Sequence, residues 1–202
     1  LLFNGDTDIS KHKNTKQATS YFSAASKYDF FGGYDHGKDA GVVHIADAHI
    51  APGKKLFTWA YSQLAKTWEN ALTDKDGQYA ELMAGTYSDN QPDFNWIQPG
   101  ETKTFSQKWF PIHGQGKPTF ANDNGAMFWN GDKVSVQCVK AVKGAIVRAM
   151  KDGKILEEKT MDLPAYDDTV VLTSLERAAG VTVSVMDGKR KVFVYEATEK
   201  AE

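Results

Sequence analysis

Glu81 stands in a run whose residue types suit sugar chemistry: Tyr79-Ala80-Glu81-Leu82-Met83-Ala84-Gly85-Thr86-Tyr87, with Asp89, Asn90, Asp93 and Trp96 following. Side chains alternate along an extended strand, so Tyr79, Glu81, Met83 and Tyr87 share one face while Ala80, Leu82 and Ala84 share the other. A carboxylate among aromatic rings meets two needs of a saccharide: flat apolar surface for its C–H face and a charged acceptor for its hydroxyls. Trp96 sits in the loop-like Asp93-Phe94-Asn95-Trp96, where an indole is open for stacking. Asp89 and Asp93 flank Pro92 and either bind hydroxyls or cap their own turn. The plain alternative for the whole run is a solvated strand, on which Glu is commonplace.

Three further residues join the substrate-binding set. Asp35-His36 follows Gly32-Gly33, a pair that lets the backbone carry two polar side chains to a loop tip; an ordinary turn is the competing reading. His44 lies near Asp47 and His49, residue types that ligate transition metals. On a strand, however, His44 and Asp47 face opposite ways, so no metal site is expected and His44 is assigned to the lining of a sugar groove. Neither a Gly-rich phosphate loop before a helix nor a nucleophile elbow is present, which disfavours nucleotide-driven chemistry and acyl transfer. No cofactor is expected. Cys138 is the sole cysteine and lies in the alternating Val134-Ser135-Val136-Gln137-Cys138-Val139, the setting of a buried, inert thiol.

The elements that must position these groups are strands. From Ser20 onward, short β-branched and aromatic runs alternate with Gly, Asp and Asn clusters, the pattern of an antiparallel all-β protein. Strands are expected over 19–24, 41–46, 55–61, 78–87 and 101–110, then over 133–142, 145–150, 169–175, 181–186 and 191–196. Leu64, Trp68 and Leu72 recur at four, with Ser62 as N-cap, and predict one short helix over 62–72. Asp152-Gly153 and Asp187-Gly188 sit between alternating runs and predict tight hairpins. Residues 1–18 are polar and aperiodic and read as a lead-in, while the Gly- and Pro-rich stretch around His113-Gly114-Gln115-Gly116-Lys117-Pro118 places a boundary near residue 114. The expected organisation is therefore a lead-in over 1–18, a β-sandwich part over 19–113, and a small Ig-like β-sandwich accessory domain over 114–202.

Composition narrows the partners. The 24 Lys and Arg residues are scattered and offset by 26 Asp and Glu, a net charge of −2, so nucleic acid is not expected. No apolar run approaches the roughly 20 residues needed to cross a bilayer, so membrane insertion is not expected either. The start, Leu1-Leu2-Phe3-Asn4-Gly5-Asp6, has no signal-peptide pattern, and localisation is not legible.

Glu81, then Ser88-Asp89, Asn90-Gln91-Pro92-Asp93-Phe94 and Ile97-Gln98-Pro99-Gly100-Glu101 leading into a strand, resemble in order and spacing the C-terminal part of galactose mutarotases. Residues from about 18 to 112 resemble more closely the later part of an uncharacterised bacterial domain often fused to tetratricopeptide repeats. The resemblance rests on Phe30-Phe31-Gly32-Gly33-Tyr34-Asp35-His36, His44-Ile45-Ala46-Asp47, Pro52-Gly53-Lys54-Lys55-Leu56-Phe57-Thr58-Trp59 and Asp89-Asn90-Gln91-Pro92-Asp93. It implies a galactose-mutarotase-like supersandwich, with Glu81 as the general base that takes the proton of an anomeric hydroxyl. The partner acid of mutarotases, a His of an earlier strand, has no counterpart that maps onto this chain.

Three functions remain open on sequence: an enzyme at a sugar's anomeric centre, epimerase-like or hydrolytic; a non-catalytic carbohydrate-binding module; and a scaffold within a tetratricopeptide-repeat protein.

Overall fold

A computed structural model of the chain describes residues 3–23, 26–87 and 94–198. The described strands run, in chain order, β1 Phe3–Asn4, β2 Thr7–Asp8, β3 Thr19–Phe22, β4 Phe30–Asp35, β5 Ala40–Ile45, β6 Lys55–Thr58, β7 Ala80–Met83 and β8 Lys108–His113. They continue as β9 Phe120–Asn122, β10 Gly125–Asn130, β11 Lys133–Cys138, β12 Val142–Lys151, β13 Lys154–Leu163, β14 Thr169–Leu172, β15 Thr182–Asp187 and β16 Arg190–Glu196. The helix α1, Gln63–Leu72, and a 3-10 turn at His12–Asn14 are the described helical elements. All strand pairings within the sheets are antiparallel, and the protein is nearly all-β. No described helix is long and apolar enough to cross a membrane.

The chain forms two compact units, one from the described residues of Leu1–Tyr28 and Ala46–Ser106, the other from those of Asp29–Ile45 and Gln107–Glu202. In the first, β3-β6-β7 form a three-stranded sheet and β1-β2 a short hairpin. The stretch read as a lead-in is folded: Ile9 and Thr15 are buried, Tyr61 N–H donates to Thr15 O at 3.0 Å, and Asn14 Nδ2 donates to Asp8 O at 2.8 Å. Ser62 caps α1 as its spacing predicts, its hydroxyl accepting from Ala65 N–H at 3.2 Å.

In the second unit three sheets stack. The sheet β14-β11-β10-β9 packs one face on β13-β12-β15-β16, through Met127, Trp129, Val134, Val136, Val147, Val185 and Phe193 among others. Its other face meets β4-β5-β8 through Ala121, Ala126 and Phe128 against Val43, Ile45, Phe110 and Ile112. The connector around 113–118 thus runs between strands of one unit, and the hairpin of β4 and β5 counts with the C-terminal sandwich.

The expected strand over 101–110 begins later, at Lys108, because Gln98-Pro99-Gly100-Glu101 closes a turn. There Gly100 takes φ 81°, Glu101 N–H donates to Gln98 O at 2.9 Å, and Gln98 N–H to Glu101 Oε2 at 2.8 Å. Strand β10 has no alternation to read: Gly125 through Trp129 are all buried, since both faces of its sheet are covered. Both Asp-Gly hairpins form. Asp152 and Gly153 take φ 49° and 75° between the paired Lys151 and Lys154, and Gly188 takes φ 57° between Asp187 and Arg190.

Cys138 lies at the end of β11, buried in the core between two sheets, and burial pushes its thiol up to about 11. The folded chain should therefore resist iodoacetamide at pH 8 and react only on unfolding, as mass spectrometry would read. The unfolded thiol ionises first as pH rises, so stability should fall between about pH 9 and 11 and Cys138→Ala should flatten that decline; equal labelling of folded and unfolded chain would refute the assignment.

Candidate functional site

The face carrying Glu81 is set by strand register. Antiparallel pairing places Phe57 opposite Glu81, Lys55 opposite Met83, and Ser20 opposite Phe57 on the outer strand. Opposed residues in an antiparallel pair point the same way, so Ser20, Phe22, Lys55, Phe57, Glu81 and Met83 share one side of β3-β6-β7. The Glu81 carboxylate near Tyr79, just before β7, holds the phenol proton above its ordinary range. Both side chains are half-buried. The arrangement pairs an acceptor carboxylate with a phenol kept protonated.

Aromatic rings extend this face. Phe57 meets Trp59 edge to face at 5.1 Å, and Trp59 stacks on Trp68 of α1 at 4.7 Å with 9° between planes. Lys55 Nζ lies 5.5 Å from the Phe22 ring centre. Its neighbour Lys54 is buried. The indoles of Trp59 and Trp68, a residue type able to stack on sugars though core by default, are further functional candidates. Spacing of four at Leu64, Trp68 and Leu72 ordinarily marks a helix's buried face, yet these three are exposed and the buried helical residue is Ala65.

A close backbone approach anchors the loop that follows β7. Gly53 N–H donates to Gly85 O at 2.9 Å, and a Cβ on Gly53 would stand 1.8 Å from Tyr87 O. Glycine is what Pro52-Gly53-Lys54-Lys55 needs there, for space and not for a left-handed turn. Tyr87 is partly exposed at the start of that loop. Asp89, Asn90 and Asp93 lie outside the described residues. Trp96 projects with 67% of its surface exposed, in edge contact with Phe94 at 5.2 Å, while Lys103 Nζ donates to its carbonyl at 3.3 Å.

Asp35, His36 and His44 belong to the second unit. Asp35 caps the β4–β5 turn, its Oδ1 accepting from Gly37 N–H at 2.8 Å, and His36 tilts against the Tyr34 ring at 5.1 Å. Gly32 and Gly33 lie inside β4, paired with Val43 and Val42; a Cβ on Gly32 would stand 2.2 Å from Val42 O. They serve strand packing and not a flexible tip. His44 is fully buried on β5, between Phe31 at 5.0 Å and Trp109 at 4.6 Å, with Nε2 3.0 Å from Gln107 Oε1. Its imidazole lies within the side-chain layer of that sheet, between the rings of Phe31 and Trp109. In the first unit Asp47 turns back on its own backbone, accepting from His49 N–H at 2.8 Å, which holds its carboxyl below the usual range.

Comparison with known families gives one match: a domain of unknown function (DUF5107) over residues 3–112, more than half the chain. The match spans the folded N-terminal stretch, the Glu81 sheet and β8, and ends just before the Gly- and Pro-rich connector. No solved structure matches the chain.

Two outcomes follow from this geometry. Glu81→Gln should lower the pKa of one tyrosine, visible as a shift in the 295 nm titration against wild type, with the fold kept. A titration curve that superimposes on wild type would show that Glu81 does not act on the Tyr79 phenol. Gly53→Ala should cost about 1–3 kcal/mol in urea unfolding, because the new Cβ forces Tyr87 away from Pro52-Gly53; an unchanged midpoint would contradict the close approach.

Proposed function

We propose, from the premise that this chain belongs to the DUF5107 family, that it binds carbohydrate through the Glu81 face and acts at a sugar's anomeric centre. The observation that carries the reading is the placing of Glu81 opposite Phe57 on a sheet face bordered by Trp59, with the Tyr79 phenol near the carboxylate. A carboxylate beside aromatic carbon has both acceptor and stacking surface for a pyranose. The carboxylate is the group proposed to accept the anomeric hydroxyl's proton as general base. An acid must then protonate the ring oxygen; in the galactose-mutarotase-like relationship, part of the same proposal, that acid is a histidine, and no position of this chain is assigned to it.

A second reading is a carbohydrate-binding module without turnover, within a protein that also carries tetratricopeptide repeats. The breadth of aromatic surface around one carboxylate favours it, since stacking alone suffices for binding.

The test follows optical rotation of freshly dissolved α-D-galactose and α-D-glucose, together with a glycan array. Mutarotation should be accelerated by wild type and slowed by about 10² to 10⁴ in Glu81→Gln, the range for loss of a general base. Array binding without acceleration selects the module reading. Indifference of both rotation and array to Glu81→Gln would show that the site lies elsewhere.

A further inference from the structure

Helix α1 carries its conspicuous apolar stripe outward. Leu64, Trp68 and Leu72 are 61%, 39% and 46% exposed, although the stripe of an amphipathic helix ordinarily turns to the core. Trp68 is nevertheless held in place, stacked on Trp59, which meets Phe57 across from Glu81. Two polar atoms of the stack's own elements are buried without a hydrogen-bond partner among the described residues: Trp59 Nε1, a donor of the stacked indole itself, and Glu69 Oε1, an acceptor that follows Trp68 on α1. A buried polar atom left unpaired is costly, and a hydroxyl is the group that both accepts and donates.

We propose that Trp68, backed by Trp59, is a stacking platform of the saccharide site, and that the ligand it selects is an uncharged pyranose. The inference rests on the carbohydrate reading of Glu81 and deepens it. A rigid indole pair offers the flat surface that the C–H face of a pyranose ring covers, and an open-chain polyol has no such face. Glu81 supplies a carboxylate on the adjoining sheet face, which repels uronates and sugar phosphates. The ammonium of Lys55, on the same sheet face, lies over the Phe22 ring. Leu64 and Leu72, one turn to either side of Trp68, widen the apolar surface for a second ring.

The experiment is a tryptophan-fluorescence and calorimetric titration of the protein with methyl α-D-galactopyranoside, methyl α-D-glucopyranoside, D-glucuronate and mannitol. A methyl pyranoside should shift the emission and shield it from acrylamide, with glucuronate and mannitol at least tenfold weaker. Trp68→Phe should bind within about threefold of wild type and Trp68→Leu at least tenfold more weakly, since ring stacking is worth on the order of 1 kcal/mol beyond area. Circular dichroism checks that α1 persists in each variant. Acrylamide shielding in wild type needs no variant, and its absence at saturating pyranoside overturns the platform. Should Trp68→Leu bind as wild type does while Glu81→Gln does not, the platform falls and the Glu81 reading stands. If no pyranoside binds any form, both fall. A Trp68→Leu variant that changes only the sedimentation coefficient would assign the stripe to a protein contact and overturn the platform too.

Discussion

The pairing of β6 with β7 is the constraint on which the candidate site depends. Register places Phe57 opposite Glu81 and Lys55 opposite Met83, and the alternation of a strand carries Tyr79 to the same side. A slip of one residue would turn Glu81 to the face of Leu56 and Thr58 and send Leu82 outward. The Gly53–Gly85 backbone bond pins the far end of this pair, where no side chain fits between Gly53 and the Tyr87 carbonyl. Glycine at one position thereby maintains the aim of a carboxylate several residues away. Trp59 extends the same strand's polarity past its last paired residue and hands the aromatic surface on to α1.

The parts of the fold that were legible in the sequence are those whose physics is local. Asp152-Gly153 and Asp187-Gly188 announced hairpins because positive φ is a property of the turn itself. Ser62 announced α1 because a hydroxyl cap acts within one turn. The grouping of Tyr79 with Glu81 followed from alternation alone. What stayed hidden depends on partners distant in sequence. Strand β10 is buried on both sides and so has no period, and β13 is an edge strand whose mostly exposed, charged residues look like a loop. Residues 3–15 look polar and aperiodic, yet they fold by donating and accepting at Thr58, Ala60 and Tyr61.

His44 and Trp68 depart in opposite directions from what residue type and spacing ordinarily give, for one reason. Residue type alone suggested a ligand-facing imidazole, but β5 is central in its sheet and the rings of Phe31 and Trp109 flank the side chain. Helical spacing alone suggested a buried indole, but α1 meets the protein through Ala65, leaving its larger residues outside. Spacing fixes which residues share a face. It does not fix which face the rest of the chain covers, because that is decided by long-range packing.

The Tyr79 and Glu81 pair bears on what this sheet face can hold. The Glu81 carboxylate keeps the neighbouring Tyr79 phenol protonated, so the two residues offer one acceptor and one donor. The same side of the sheet carries Phe57, set opposite Glu81 by the register. A hydroxyl-bearing ligand with an apolar ring face needs donor, acceptor and flat carbon surface together, and only the pairing of β6 with β7 brings the three onto one side.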